Sequence, residues 1–352
     1  MNDKFNIRFN NVSHEIWLKI TQIESLKGKW DGSTKLSPQI LGRLKKSVLV
    51  TSTGASTRIE GSKLTDETVE KMMKGISIQK FSNRDEQEVM GYYELLQNIF
   101  NSWESITFSE SAILHFHKEL LKYVGKDETH RGEYKKKENA VHMVNEKGKS
   151  VGILFETTKA YLTPKEMYEL IDWTKTALNQ NTYHPLLIIS NFIVEFLNIH
   201  PFSDGNGRLS RILTNLLLLK AGYLYIPYVS HEKLIEDNKP EYYLALRRSQ
   251  NTLRTKKPDV SFWTNFFLDI LFTQSEIAIK QLTETNIESV LSPKQLLVWD
   301  YLEKNDEVTP MEISKKAGVT RPTVTQVLVK LLDLKMIEKI GQGSATRYRK
   351  LK

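Results

Sequence analysis

HPFSDGNGRLSR, His200–Arg211, is the stretch from which the reading of this 352-residue chain proceeds. It stands between two apolar runs that read as helices, 185–199 and 206–221. Gly205-Asn206-Gly207 puts two residues that allow close backbone approach at the N-terminus of the second helix. Free amides and the positive end of the helix dipole suit an anion such as phosphate there. Arg208 and Arg211, three apart, are neighbours on the first turn. Two guanidinium groups beside a free helix N-terminus suit more than one phosphate. Asp204 amid this positive charge makes sense with a bridging cation, and Mg²⁺ binds through one or two carboxylates plus phosphate oxygens. His200 closes the preceding helix and can accept a proton near neutral pH. A Gly-Asn turn with surface arginines explains GNG alone, but not eight specified positions in one dodecapeptide.

Outward from this stretch most of the first 290 residues read as helix. Ser13 caps a run with Ile16, Trp17, Ile20, Ile23 and Leu26 at helical spacing. Pro38 opens another through Leu41, Leu44 and Val48. Thr65 precedes Asp66 and Glu67, acid in a first turn. Ser109 and Thr163-Pro164 start further helices, and 259 to about 290 is one long helical pattern. The exception is 131–155, whose Gly-bounded short runs predict a β-hairpin or flap. His115 and His117, two apart, do not share a helix face as ligands and read as ordinary half-buried residues. The expected fold class is mostly α with a β-hairpin flap.

The pattern changes near residue 291. LSPKQLLVWDYLEKND, VTPMEISKKAG and VTRPTVTQVLVKLLDLKMI read as three helices, followed by two strand-like runs joined at Gly341–Gly343. This order resembles a winged helix-turn-helix domain. The expected divisions are a helical region over 1–110, a catalytic domain over 111–290 and the small domain over 291–352. The net charge of +8 sits in residues 315–352, with ten basic and two acidic residues against a balanced remainder. A basic, patterned segment makes a polyanion partner plausible.

Composition removes several classes. Without cysteine there are no disulfides, thiol nucleophiles or iron–sulfur clusters. Apolar runs such as the four residues Leu186–Ile189 and Leu216–Leu219 are far too short for a membrane span. The opening MNDKFNIRFNN lacks the apolar core of a signal peptide. The expectation is a cytoplasmic protein with no membrane partner. Trp17 and Trp30 fit a homodimer interface or core packing equally well.

The His200–Arg211 stretch resembles the Fic family signature HxFx(D/E)GNGRxxR at every position. The resemblance implies a helical Fic core and a protein adenylyltransferase, which moves AMP from ATP to a hydroxyl of a target protein. It implies His200 as general base and Asp204 as the Mg²⁺ ligand. The Gly205, Asn206 and Gly207 amides with Arg208 would receive the leaving diphosphate, Leu209 and Ser210 completing the turn. Arg211 would clamp the γ-phosphate. The flap would hold the target segment by strand addition, with Asn139, Ala140, Val141 and His142 beside the nucleotide. Tyr242 and Tyr243 resemble a tyrosine pair at the adenine end, a pair that also suits ordinary helix core.

Upstream, Ser56 to Gly61 fits [S/T]xxxE[G/N], the family's inhibitory-helix pattern. It implies that Glu60, with Ser56, docks at the phosphate site and occupies Arg211. Self-modification and removal of AMP come with the same resemblance, and the target is a Ser, Thr or Tyr hydroxyl. The competing function is a DNA-binding regulator whose Fic domain senses nucleotide. It rests on Arg321 and Thr323 at the start of the recognition helix and Arg347 and Arg349 on the wing. Winged helices also serve as protein-interaction modules.

Overall fold

A computed structural model of the chain describes residues 3–33, 38–74, 81, 83–144, 150–290, 292–333, 336–341, 343 and 346–351. In chain order the elements are α1 (Asp3–Asn6), α2 (His14–Asp31), α3 (Pro38–Ile59), α4 (Asp66–Lys74), α5 (Arg84–Ser102), α6 (Glu110–Leu120), β1 (Ala140–Val144), β2 (Ser150–Glu156), α7 (Thr163–Gln180), α8 (Pro185–Ile199), α9 (Asn206–Lys220), α10 (His231–Asp237), α11 (Lys239–Leu253), α12 (Ser261–Val290), α13 (Pro293–Glu303), α14 (Pro310–Ala317), α15 (Arg321–Asp333), β3 (Ile337–Ile340) and β4 (Arg347–Lys350). The mostly α class holds. The chain forms two compact units, Met1–Ser33 with Leu41–Ile279, and Thr34–Ile40 with Lys280–Lys352.

The first unit is built on α8. Every residue from Leu186 to Ile199 is buried, and a helix covered on all sides belongs at the centre of a bundle. α7 and α9 flank it, and α5 and α6 pack on α9. The polar exceptions on α8 are used: Arg8 donates to Asn191 Oδ1 (2.8 Å) and Glu195 Oε2 (2.6 Å), which ties the N-terminal segment to the core helix. Ser13, Asn83 and Ser109 accept amide bonds as caps of α2, α5 and α6. Trp30 stacks on Tyr228 at 5.6 Å, whereas Trp17 is 45% exposed, so core packing accounts for one of these two aromatics only.

β1 and β2 pair antiparallel, with Ala140 opposite Glu156 and two register shifts. The hairpin is narrower than the 131–155 read from sequence. Residues 131–139 lie outside the ladder because their backbone donors go elsewhere: the Gly132 amide donates to His117 Nδ1 (2.9 Å) and the Lys135 amide to Pro201 O (2.9 Å).

In the second unit Ser292 with Gln295 and Thr309 with Glu312 form capping boxes on α13 and α14. Val298, Trp299, Leu302, Ile313, Val324, Val327, Leu328, Leu331 and Ile337 form its core. β3 and β4 are antiparallel, and Val308 bridges to Tyr348. Arg321 and Arg347 are exposed and Thr323 half-buried, its Oγ1 2.9 Å from Thr320 Oγ1. Arg349 donates across the strands to Glu338 (2.8 Å). Among the described residues no helix is long and apolar enough to cross a membrane.

Candidate active site

The chain leaves α8 through His200, whose φ of 53° is left-handed. A non-glycine residue there is uncommon and mildly strained. The His200 amide still reaches Phe196 O (2.9 Å), so the imidazole is carried at the end of a buried helix. Burial, then the Lys135 ammonium, push this imidazole down to about 4, against a Leu197 backbone bond and the Glu60 and Asp204 charges. It is therefore neutral at ordinary pH.

The following loop is held from within. Asn206 Oδ1 accepts from the Phe202 amide (2.9 Å) and Nδ2 donates to Phe202 O (2.8 Å). Both ends of this amide are engaged within the loop. The Phe202 ring stacks on His117 at 3.8 Å and 12°. His117 Nδ1 accepts from the Gly132 amide (2.9 Å), which leaves Nε2 to donate to Asp204 O (3.1 Å). Burial drives His117 down to about 4, in keeping with that neutral tautomer. Far from an ordinary half-buried residue, His117 is fully buried and supports the motif loop.

Asp204 Oδ2 accepts from Arg208 Nη2 (3.0 Å) and from Arg84 Nη2 (2.7 Å). Burial opposes its charge, but Arg208, the Gly205 amide and Arg84 outweigh it and hold the carboxyl below its usual range. Arg208 is buried and also meets Glu88 Oε2 at 2.7 Å. No cluster of three or more His, Asp or Glu side chains forms a metal cage among the described residues. A lone carboxylate at an anion cradle fits a divalent cation that arrives with phosphate oxygens and keeps water.

Gly205 caps α9 with φ 78°, and a Cβ there would meet Leu120 Cδ2 at 3.2 Å. Ser210 Oγ donates to Gly207 O (2.7 Å), and Leu209 is core. Arg211, fully buried, donates through Nε to Ser56 Oγ (2.8 Å) and through Nη2 to Ser56 O (2.9 Å) and Glu60 Oε1 (2.7 Å). Glu60 stands just past α3, which Gly61, at φ 104°, turns away. Arg58 fixes that helix end by a forked pair to Glu236 (2.6 and 3.0 Å) and a bond to Asp66 (2.8 Å). The Glu60 carboxylate lies over Gly207: a Cβ on residue 207 would stand 2.1 Å from Glu60 Oε1. The cradle at the start of α9 thus already holds an anion.

Tyr242 is buried beside Arg211, and burial raises its phenol to about 12. Tyr243 is 37% exposed and donates to Ile59 O (3.3 Å). Asn139 Nδ2 donates to Phe202 O (3.0 Å), joining the hairpin to the motif loop. The side chains of Ala140, Val141 and His142 lie outside the described residues. The structure therefore brings His200, Asp204, Gly207, Arg208, Arg211, Ser56, Glu60 and Asn139 into one locale. It adds Arg84, Glu88 and Lys135, which the sequence reading does not single out, and His117, which that reading takes for an ordinary half-buried residue. Only the i, i+4 spacing of Arg84 and Glu88 carried a signal, and it is that of an ordinary helix-surface pair.

The Fic/DOC family model matches residues 107–218. A probable protein adenylyltransferase of Aquifex aeolicus is 26% identical over 200 residues, covering 54% of this chain and 56% of its own. The protein adenylyltransferase Fic of Aedes aegypti is 26% identical over 211 residues, covering 57% of this chain and 39% of its own. The match thus spans about half or less of those relatives. A crystal structure of a Fic family protein from Desulfovibrio desulfuricans superposes with TM-score 0.63 at 23% identity, over 97% of each chain. One of a Fic domain-containing protein from Bacteroides thetaiotaomicron does so at 0.61 and 22% identity, over 75% of this chain and 97% of that one. With the motif, its geometry and the helical core in agreement, residues 107–218 are a Fic/DOC family domain.

Proposed function

We propose that the protein is an adenylyltransferase that moves AMP from ATP to a Ser, Thr or Tyr hydroxyl of a target protein, and that Glu60 inhibits it. The observation that carries this reading is the Glu60 carboxylate seated over Gly207 against Arg211, an anion in the place of a phosphate, within electrostatic reach of His200. Neutral His200 takes the proton of the attacking hydroxyl. The hydroxyl oxygen bonds to the α-phosphorus, the bond from that phosphorus to the β-phosphate bridging oxygen breaks, and diphosphate leaves toward the Gly207 amide and Arg208. Arg211 orients the far phosphate once Glu60 withdraws. Asp204 would hold Mg²⁺, which when bound supplies charge neutralisation of the phosphates. Tyr242 and Tyr243 flank the adenine side, and Ser56 holds Arg211 on the inhibitory side. The same machinery supports self-modification and, with Glu60 engaged, removal of AMP.

The test is incubation of the full chain and its Glu60→Gly variant with ATP labelled at the α- or the γ-phosphate. Protein label from the α position alone is expected. Label from the γ position alone, or none from either variant, overturns the reading.

A second reading concerns the winged helix expected over 291–352 and is compatible with the first. In the second unit α15 buries Val324, Val327 and Leu328 and leaves Arg321 exposed, with Arg347 exposed on β4. This supports a winged helix that offers α15 to DNA.

A further inference from the structure

Lys135 sits in the run Lys135-Lys136-Lys137, of which the second and third are exposed while Lys135 is 3% exposed. Its ammonium donates to Ile199 O (3.0 Å), Asn139 Oδ1 (2.8 Å) and Thr157 Oγ1 (2.8 Å), which uses all three protons. Its own amide donates to Pro201 O (2.9 Å). One residue thus binds the carbonyls immediately before and after His200. Asn139 continues the series by donating to Phe202 O (3.0 Å). Asn139 directly precedes β1 and Thr157 directly follows β2, so the same ammonium also joins the two feet of the hairpin. Thr157 Oγ1 closes the ring by donating to Asn139 O (2.7 Å).

We propose that Lys135 is a positioning residue that holds His200 and both feet of the hairpin as one piece, so that an acceptor on the hairpin and the base that deprotonates it share a fixed frame. All three ammonium bonds go to neutral oxygens. A buried lysine serving stability alone is ordinarily paired with a carboxylate or replaceable by an apolar side chain. Here the positive charge is left to act across Ile199 on the imidazole. The charged groups around this pair are Glu138, Glu166 and Arg254 on the lysine side and Glu60 and Asp204 on the histidine side. The inference rests on the transferase reading for the word base, but its geometry does not.

The test uses the full chain with Lys135→Met, Lys135→Arg and Thr157→Val. Three readouts are followed: the His200 imidazole titration by NMR, amide hydrogen exchange over 140–156, and self-labelling from α-labelled ATP in the Glu60→Gly background. Lys135→Met should raise the His200 pKa by about one unit, since a neighbouring cation is lost. It should also speed exchange in both strands and slow labelling about tenfold or more, with ATP affinity unchanged. Lys135→Arg keeps the charge and should keep the titration low. Thr157→Val should loosen the hairpin without moving the titration, and it serves as the surviving probe if Lys135→Met does not fold. An unmoved titration together with unchanged exchange in Lys135→Met overturns the proposal. So does a labelling loss no greater than the loss of folded protein in a thermal melt. If no variant labels at all, the transferase reading fails, and the titration and exchange still decide Lys135.

Discussion

Glu60 Oε1 lies 2.7 Å from Arg211 Nη2 and in the same volume that a side chain on residue 207 would claim. On the proposed reading, the carboxylate and an incoming phosphate compete for one seat. A charge-assisted bond of this kind is worth about 1.5–3 kcal/mol, less what solvent removes from a side chain that is 35% exposed. Glu60→Gly should raise self-labelling from ATP by about ten- to a hundredfold. Glu60→Gly combined with Arg211→Ala should erase the gain. Equal rates for the wild type and Glu60→Gly would show that Glu60 is only a helix-end residue.

His200→Ala should lower transfer by about 10²–10⁴-fold while ATP binding, read by calorimetry, stays close to that of the wild type. The neutral imidazole also sets the acid limb. With its pKa down to about 4, the rate should be flat from pH 8 to about pH 5 on this group's account and fall only as pH approaches 4. A limb centred near 6.5 would mean that the imidazole is not held as the structure shows.

Gly207→Ala places a Cβ 2.1 Å from Glu60 Oε1, the movable end of a side chain. The glutamate should swing out, but the methyl then narrows the anion seat. Weaker ATP binding without activation is expected, together with no gain in melting temperature, because the roughly 0.5–1 kcal/mol by which Ala exceeds Gly within a helix is offset by loss of the Glu60–Arg211 bond. Activation on the scale of Glu60→Gly would show that the seat reaches less far than residue 207.

His117 is fully buried and neutral, with a folded pKa of about 4 against an ordinary 6.5. Between these values the unfolded chain binds more protons than the folded one, so stability falls as pH drops from 6.5 toward 4 and is fully present above 6.5. The loss is on the order of 3 kcal/mol at the acid end. Urea unfolding of His117→Gln should show a shallower slope over that window than the wild type, whatever its stability at pH 8.

On duplex DNA the full chain should bind with an affinity that drops steeply with salt, and Arg321→Ala should weaken it more than Lys294→Ala. Arg349, already engaged by Glu338, should matter less than Arg347. Absence of binding at low salt would favour a protein-interaction role for the second unit.

What the sequence made legible is what a single turn of helix can encode. The cradle of Gly205, Gly207, Arg208 and Arg211 follows from spacing on α9, and the caps at Ser13 and Ser109 from residue type alone. The pairing of Glu60 with Arg211, 151 residues apart, was legible only through a second motif. Arg84 meets Asp204 across 120 residues, and no local pattern announces that contact. Lys135 was hidden for another reason: three successive lysines read as one solvated face, and only the fold decides which is turned inward. The hairpin's extent was overread because Gly-bounded polar runs look alike whether their backbone amides pair with a strand or, as at Gly132 and Lys135, with other groups.

The left-handed backbone at His200 sets folding against chemistry at a single residue. Gly adopts that conformation freely and Asn readily, whereas a histidine there is uncommon and mildly strained. Replacing His200 by Asn therefore removes a proton acceptor and a strained dihedral together. The resulting protein should melt at an equal or higher temperature and do no work. If His200 is the proposed base, this dihedral is a small cost in stability borne for reactivity.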